Sequence, residues 1–165
     1  MAEEFACSIC GQKHSGLSLD WAYTLPDEVW AIPEPERSEV ARFTNDLCQC
    51  GERYFIRCVL EVPFKDKEGF FGWGAWAEVD WGIFERYLAL YDDDGHSEPP
   101  QNGKLANDLS EYGHTVGVPV LIQFRNATKR PAIELLPTDQ SLLAIEQRQG
   151  IDQVRYHDIV GRLAL

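Results

Sequence analysis

The sequence predicts an α+β fold, a mainly antiparallel sheet packed with two or three helices and preceded by a small cysteine-bearing knuckle. Three observations predict it. Apolar residues alternate with period two over residues 53–63 and again over 71–79, with a Lys-Asp-Lys-Glu-Gly turn between them. A helical period follows at Asp80. The strands and helices then follow one another without regular βαβ alternation, which argues against a parallel sheet.

The N-terminal segment, residues 5–16, reads as a knuckle, with Gly11 permitting a tight turn directly after Cys10. Residues 17–35 are Pro-rich and expected to be irregular, with Trp21, Tyr23 and Trp30 as anchors onto the body, and Glu36–Asp46 is expected to form a short helix with Val40 and Phe43 on one side. In the first long strand Tyr54, Ile56, Cys58, Leu60 and Val62 share a face, and Pro63 closes it. The second, Phe71–Val79, pairs antiparallel with it, and its Gly72 and Gly74 mark a bulge or a close backbone approach. Asp80 is the expected N-cap of a helix carrying Trp81, Phe84, Leu88 and Tyr91 at helical spacing, stopped by Asp92-Asp93-Asp94-Gly95. A polar loop with Pro99-Pro100 comes next. Val116, Val118, Val120, Ile122 and Phe124 alternate as a third long strand, with Pro119 suggesting an edge or bulge, and Pro131–Leu136 forms a further strand. Thr138 or Asp139 caps a last helix that Gly150 ends. The whole chain, 1–165, reads as one domain: 5–50 the knuckle and its partner segment, 51–150 the sheet and helices, 151–165 a C-terminal tail.

Charge narrows the function classes. The net charge is −12. Residues 1–114 carry 9 Lys and Arg against 22 Asp and Glu, while residues 115–165 carry 6 against 5, so the negative excess lies in the N-terminal two-thirds. Such a field repels nucleic acid and anionic membrane and steers a basic protein partner inward. No apolar run reaches the length of a membrane span, and Met-Ala-Glu-Glu is unlike a signal peptide, so a cytoplasmic location is expected.

The strongest chemical pattern is Cys7-x-x-Cys10 with Cys48-x-Cys50. Two close thiol pairs suit one tetrahedral Zn²⁺ site, and four thiolates leave no open position for catalysis, so zinc is expected as a structural cofactor. His14 competes for a ligand position through Cys10-x3-His14. A redox CxxC should follow a strand and open a helix, which a motif this near the N-terminus does not suggest. Cys58 belongs to the core face. Asp92-Asp93-Asp94-Gly95-His96 lacks the alternate spacing of a calcium loop. His14, His96, His114 and His157 form no metalloprotease pair, no Ser or Cys is framed as an activated nucleophile, and no phosphate or dinucleotide loop occurs. Trp76 falls on the face opposite Trp73, either under another element or as an exposed platform.

Together these motifs resemble a bacterial family of unknown function, domain family 2199: Cys7-x-x-Cys10-Gly11-x-x-His14-x-Gly16-Leu17, Asp46-x-Cys48 before Tyr54-Phe55-Ile56-Arg57, Phe71-x-Trp73-x-x-Trp76, Gly103-x-Leu105-Ala106-Asn107-x-Leu109-x-x-Tyr112-x-x-Thr115, and Arg130-Pro131-x-Ile133-Glu134-Leu135. The resemblance implies a single domain of no assigned activity. It carries the first two cysteines, the histidine and a cysteine matching Cys48, which leaves Cys50 and His14 both open as the fourth ligand. The expected function is a non-catalytic, acidic, protein-binding domain of the immunity or inhibitor kind, neutralising a basic, nuclease-like toxin. Asp92, Asp93 and Asp94, with the acidic residues of 27–39, supply steering, and Trp76 an anchor. The alternative is a metal-dependent enzyme with an open zinc site formed by Cys7, Cys10, His14 or Cys48 and water. A nucleic-acid-binding knuckle is disfavoured, because only Lys13 lies near it.

Overall fold

The structure is a computed structural model that describes residues 4–6, 13–15 and 20–163. The first two segments are strands β1 (Glu4–Ala6) and β2 (Lys13–Ser15), paired antiparallel with Phe5 opposite His14. A short strand therefore does precede the CxxC motif, and a second strand lies beyond it at 13–15.

The body is built on two long strands, β6 (Arg53–Pro63) and β7 (Phe70–Val79), paired as the sequence predicts. Their register sets Ile56 opposite Ala77, Cys58 opposite Ala75, Leu60 opposite Trp73 and Val62 opposite Phe71, and all eight side chains are fully buried. Strands β8 (Gln101–Leu105), β9 (Pro119–Gln123) and β10 (Ala132–Leu135) continue the meander antiparallel. Each hairpin step reverses direction, so the fifth strand runs with the first, and β10 closes a five-stranded barrel by pairing parallel to β6 at Ala132 and Val59. Val59 N donates to Pro131 O at 2.9 Å across that seam.

Large and small side chains alternate in the barrel interior. Trp73 and Phe71 fill it beside Ala75, Ala77 and Gly103. A Cβ at Gly103 would lie 2.6 Å from Ile122 Cδ1 and 3.1 Å from Glu78 O, so only glycine lets β8 approach this closely.

Helices cover both ends. Helix α3 (Trp81–Ala89) starts at Asp80, whose side chain accepts from Ile83 N at 2.9 Å as expected for an N-cap. The stripe it turns to the barrel differs from the expected one. Ile83, Phe84, Tyr87 and Leu90 pack on the core, with Phe84 against Tyr54 and Tyr87 against Phe124, whereas Trp81, Leu88 and Tyr91 are exposed. Two apolar stripes overlap at Phe84, and the position of the helix over the rim selects the one containing Tyr87. At the opposite end lie α4 (Leu142–Gln149) and α5 (Gln153–Leu163). Ser141, rather than Thr138 or Asp139, caps α4, and Asp139 instead accepts from Ser141 N. Gly150 ends the helix as expected, and a Cβ there would meet Pro63 O at 2.8 Å. Residues 153–163, expected as tail, form a helix because Tyr156 and Ile159 bury against Phe64 and Phe71 and Arg155 donates to Glu146 and Glu111.

A second layer covers the outer face of β6 and β7. Here β3 (Asp20–Ala22) pairs parallel to β7, followed by α1 (Asp27–Trp30), α2 (Glu34–Val40), β4 (Ala41–Phe43) and β5 (Leu47–Cys50). The close approach expected at the β7 glycines is that of β3, with Ala22 Cβ 2.9 Å from where a Cβ on Gly74 would stand. The expected helix over 36–46 ends at Val40. Thr44 Oγ1 accepts from Asp46 N and Leu47 N, which turns 41–50 into a hairpin that extends the sheet and leaves Val40 and Phe43 exposed. Leu25, Val29, Ala41, Cys48, Phe55, Trp76 and Ala106 form the small core beneath this layer.

One polar residue joins layer to barrel. Asn107 is fully buried; its Oδ1 accepts from Trp76 N at 2.7 Å, and its Nδ2 donates to Leu25 O at 2.9 Å and Asp27 Oδ1 at 2.8 Å. Asp27 also accepts from Asp108 N, and Thr115 Oγ1 donates to Asn107 O. No helix among the described residues is long and apolar enough to cross a membrane.

Candidate functional site

The strand β5 carries Cys48 and Cys50 two residues apart, so both point to the outer layer. Cys48 is 1% exposed and sits opposite Phe55; Cys50 is half-buried and packs on the same cluster. Burial, then the neighbouring Cys50, pushes the Cys48 thiol up to about 12, so without a metal to displace its proton it is a neutral core residue. Cys58 lies on the other side of the sheet, fully buried in the barrel, with Sγ 3.4 Å from Ile56 O, and burial raises its pKa strongly. Its expected core role holds. Cys7 and Cys10 fall outside the described residues, and His14 is placed only by its backbone in β2. Among the described residues no three His, Cys, Asp or Glu gather as metal ligands, Cys48 and Cys50 included.

Trp76 is fully buried, and its Nε1 donates to Tyr23 O at 3.0 Å. It cannot be the exposed anchor, because the layer formed by residues 20–50 covers its face of the sheet. The exposed aromatic that takes that place is Trp30, 58% exposed at the end of α1. Around it Glu28, Glu34, Glu36 and Glu39 are exposed, Arg37 stacks 4.9 Å from the Trp30 ring, and Arg37 Nη2 donates to Trp30 O. Glu28 pairs with Arg53, which also forks onto Glu78, so Glu34, Glu36 and Glu39 are the carboxylates of this patch left without an ion pair among the described residues. Val40 and Phe43 extend the patch toward β4, the end strand of the sheet.

Asp92, Asp93 and Asp94 are exposed just beyond α3. Asp94 accepts from His96 N and faces its ring nitrogen, and those two contacts hold its carboxyl below the usual carboxylate value. Asp93 lines a cavity with Asp46, Arg125, Lys129 and Arg130. Sequence reading missed Asn107 and Asp27 as key positions, and of the three aromatics expected to anchor residues 17–35 onto the body Tyr23 packs there, whereas Trp21 and Trp30 are exposed. The spacing of Asn107, Tyr112 and Thr115 was visible as a motif, but its meaning depends on contacts with residues 25–27 and Trp76.

Barrel, acidic outer layer and cysteine-bearing strand define an α+β domain whose distinctive groups lie on its covering layer and loops. A family of uncharacterized proteins conserved in bacteria, DUF2199, matches residues 6–151, and the chain belongs to it. Neither a curated protein nor a solved structure matches the chain.

Proposed function

We propose that this is a non-catalytic binding domain that presents the α1–α2 face to a basic protein partner, as an inhibitor or immunity protein neutralising a basic nuclease-like toxin does. The observation that carries the reading is Trp30, a large aromatic 58% exposed among unpaired carboxylates. Tryptophan on an exposed face loses water readily against a partner, and the surrounding charge speeds encounter with a basic surface. The test is co-expression with the basic proteins encoded beside this chain. A salt-sensitive complex is expected, and Trp30→Ala is expected to weaken it by roughly tenfold or more while leaving the melting temperature unchanged. Absence of any such complex, or equal binding by the variant, would falsify the assignment.

In the same reading a zinc ion held by Cys7, Cys10 and Cys48, with Cys50 or His14 as fourth ligand, ties the β1–β2 hairpin to β5. Support comes from the hairpin pairing on either side of residues 7–12 and from Cys48 and Cys50 sharing one face. The purified protein is expected to contain about one zinc per chain, with four protein ligands. Chelation should then lower the melting temperature, since metal binding free energy is folding free energy. A metal-free protein whose melting is indifferent to chelators and to added zinc removes the staple. Three protein ligands and a water would move the reading to a metal-dependent enzyme.

A further inference from the structure

The loop after β9 lies against the end of α3 and the turn before β5, and a cavity of about 390 Å³ opens between them. Its lining includes Tyr87, Tyr91 and Asp93 from the α3 end, Asp46, and residues 125–130. The acceptors in it are largely engaged. Asp46 takes Tyr91 Oη at 2.7 Å and Arg130 Nε at 2.9 Å. Burial alone would raise the Asp46 carboxyl, but these two hydrogen bonds and the charge of Arg130 outweigh it and hold it below its usual value. Asn126 Oδ1 accepts from Thr128 N and Oγ1, and Asp93 stands at the rim without an ion pair among the described residues.

The donors are left over. Arg130 uses only Nε, so both of its Nη groups lack a partner among the described residues. Arg125 gives Nε to Arg130 O and Nη1 to Glu61, leaving Nη2. Among the described residues Lys129, which is exposed, has no ion pair and the Tyr87 hydroxyl no hydrogen bond, although the Tyr87 ring is packed against Phe124. Arg57 stands behind, close enough to Arg130 and Asp46 to feel both, with a buried Nε that has no partner. In a chain of net charge −12 this is a local concentration of unused cationic donors.

We propose that this cavity binds a small metabolite through an oxyanion group, a phosphate or carboxylate, seated among Arg125, Lys129, Arg130 and the Tyr87 hydroxyl. The guanidinium forks match the geometry of such a group, and the volume falls in the range of small-ligand sites. A second cavity of about 620 Å³ shares Val59, Arg125, Lys129 and Arg130 and continues past the carboxylates of Glu61 and Asp20 over Gly74 to Phe70, which gives the remainder of the molecule a mixed polar and apolar place to lie. The site is independent of the α1–α2 face.

The test is a titration of the full chain with pyrophosphate and, separately, citrate, followed by backbone amide NMR at low salt, with chloride as the control. Saturable shifts confined to residues around 46, 87–93 and 125–130 are expected. A preference for pyrophosphate assigns a phosphorylated ligand, and one for citrate a carboxylate. Lys129→Ala and Tyr87→Phe remove donors that hold nothing else in place, and each is expected to weaken binding by roughly tenfold. Linear, non-saturating shifts, shifts scattered over the surface, or undiminished binding by both variants overturn the proposal.

Discussion

Asn107→Ala is expected to lower the unfolding free energy by about 3–5 kcal/mol, a large share of the stability of a domain this size. The side chain is fully buried and makes three hydrogen bonds, to Trp76 N, Leu25 O and Asp27. Truncation leaves the first two of those backbone groups without a partner and out of reach of water, and the cost of the orphaned groups exceeds the value of the bonds themselves. Asn107→Asp separates the two roles. It keeps an acceptor for Trp76 N, loses the donor to Leu25 O and sets a second carboxylate against Asp27. Both variants should unfold at lower denaturant than the parent. If Asn107→Ala costs less than about 1 kcal/mol, the layer of residues 20–50 is held by something other than this residue.

Trp76→Ala is expected to cost about 3–5 kcal/mol through the cavity it leaves between β7 and the outer layer. Trp76→Phe should cost about 1–2 kcal/mol, because a ring still fills most of the space while Tyr23 O loses its donor. Since Trp76 N is itself the donor to Asn107, the two alanine substitutions share a partner group and should not add; a double-mutant cycle should return a coupling above about 0.5 kcal/mol. An alanine variant as stable as the parent but impaired in partner binding would restore Trp76 to the surface.

The β6–β7–α3 unit was legible because its signals are local: unbroken period two on both strands, a charged turn, and an Asp exactly where a cap is needed. Strand β8 was hidden since Gln101-Asn102-Gly103-Lys104-Leu105 turns a glutamine, a glycine and a single leucine inward, and no apolar alternation remains to be read. Strand β4 and the turn after it were read as helix because Val40 and Phe43 are apolar at helical spacing, although both face solvent. Barrel closure leaves no local trace at all, being a parallel contact between residues far apart in the chain. The cysteine spacing could be read directly. The side of the sheet that Trp76 faces was equally clear, but its burial depends on a covering layer assembled from short helices and strands. The cavity was beyond sequence reading because its donors come from two segments far apart in the chain, Tyr87 on α3 and residues 125–130.

The single parallel seam has a consequence for the order of events in folding. Every other barrel neighbour is also a neighbour along the chain, so those pairings close short loops, whereas β10 meets β6 only after the intervening strands are in place. The seam therefore zips last and opens first. Two ion pairs straddle it, Arg125 with Glu61 and Arg130 with Asp46, binding the 125–130 loop to the far side of the join. Ionic strength thus acts as a throttle on the breathing of the barrel at one chosen edge, while the interior packed around Trp73 stays shut.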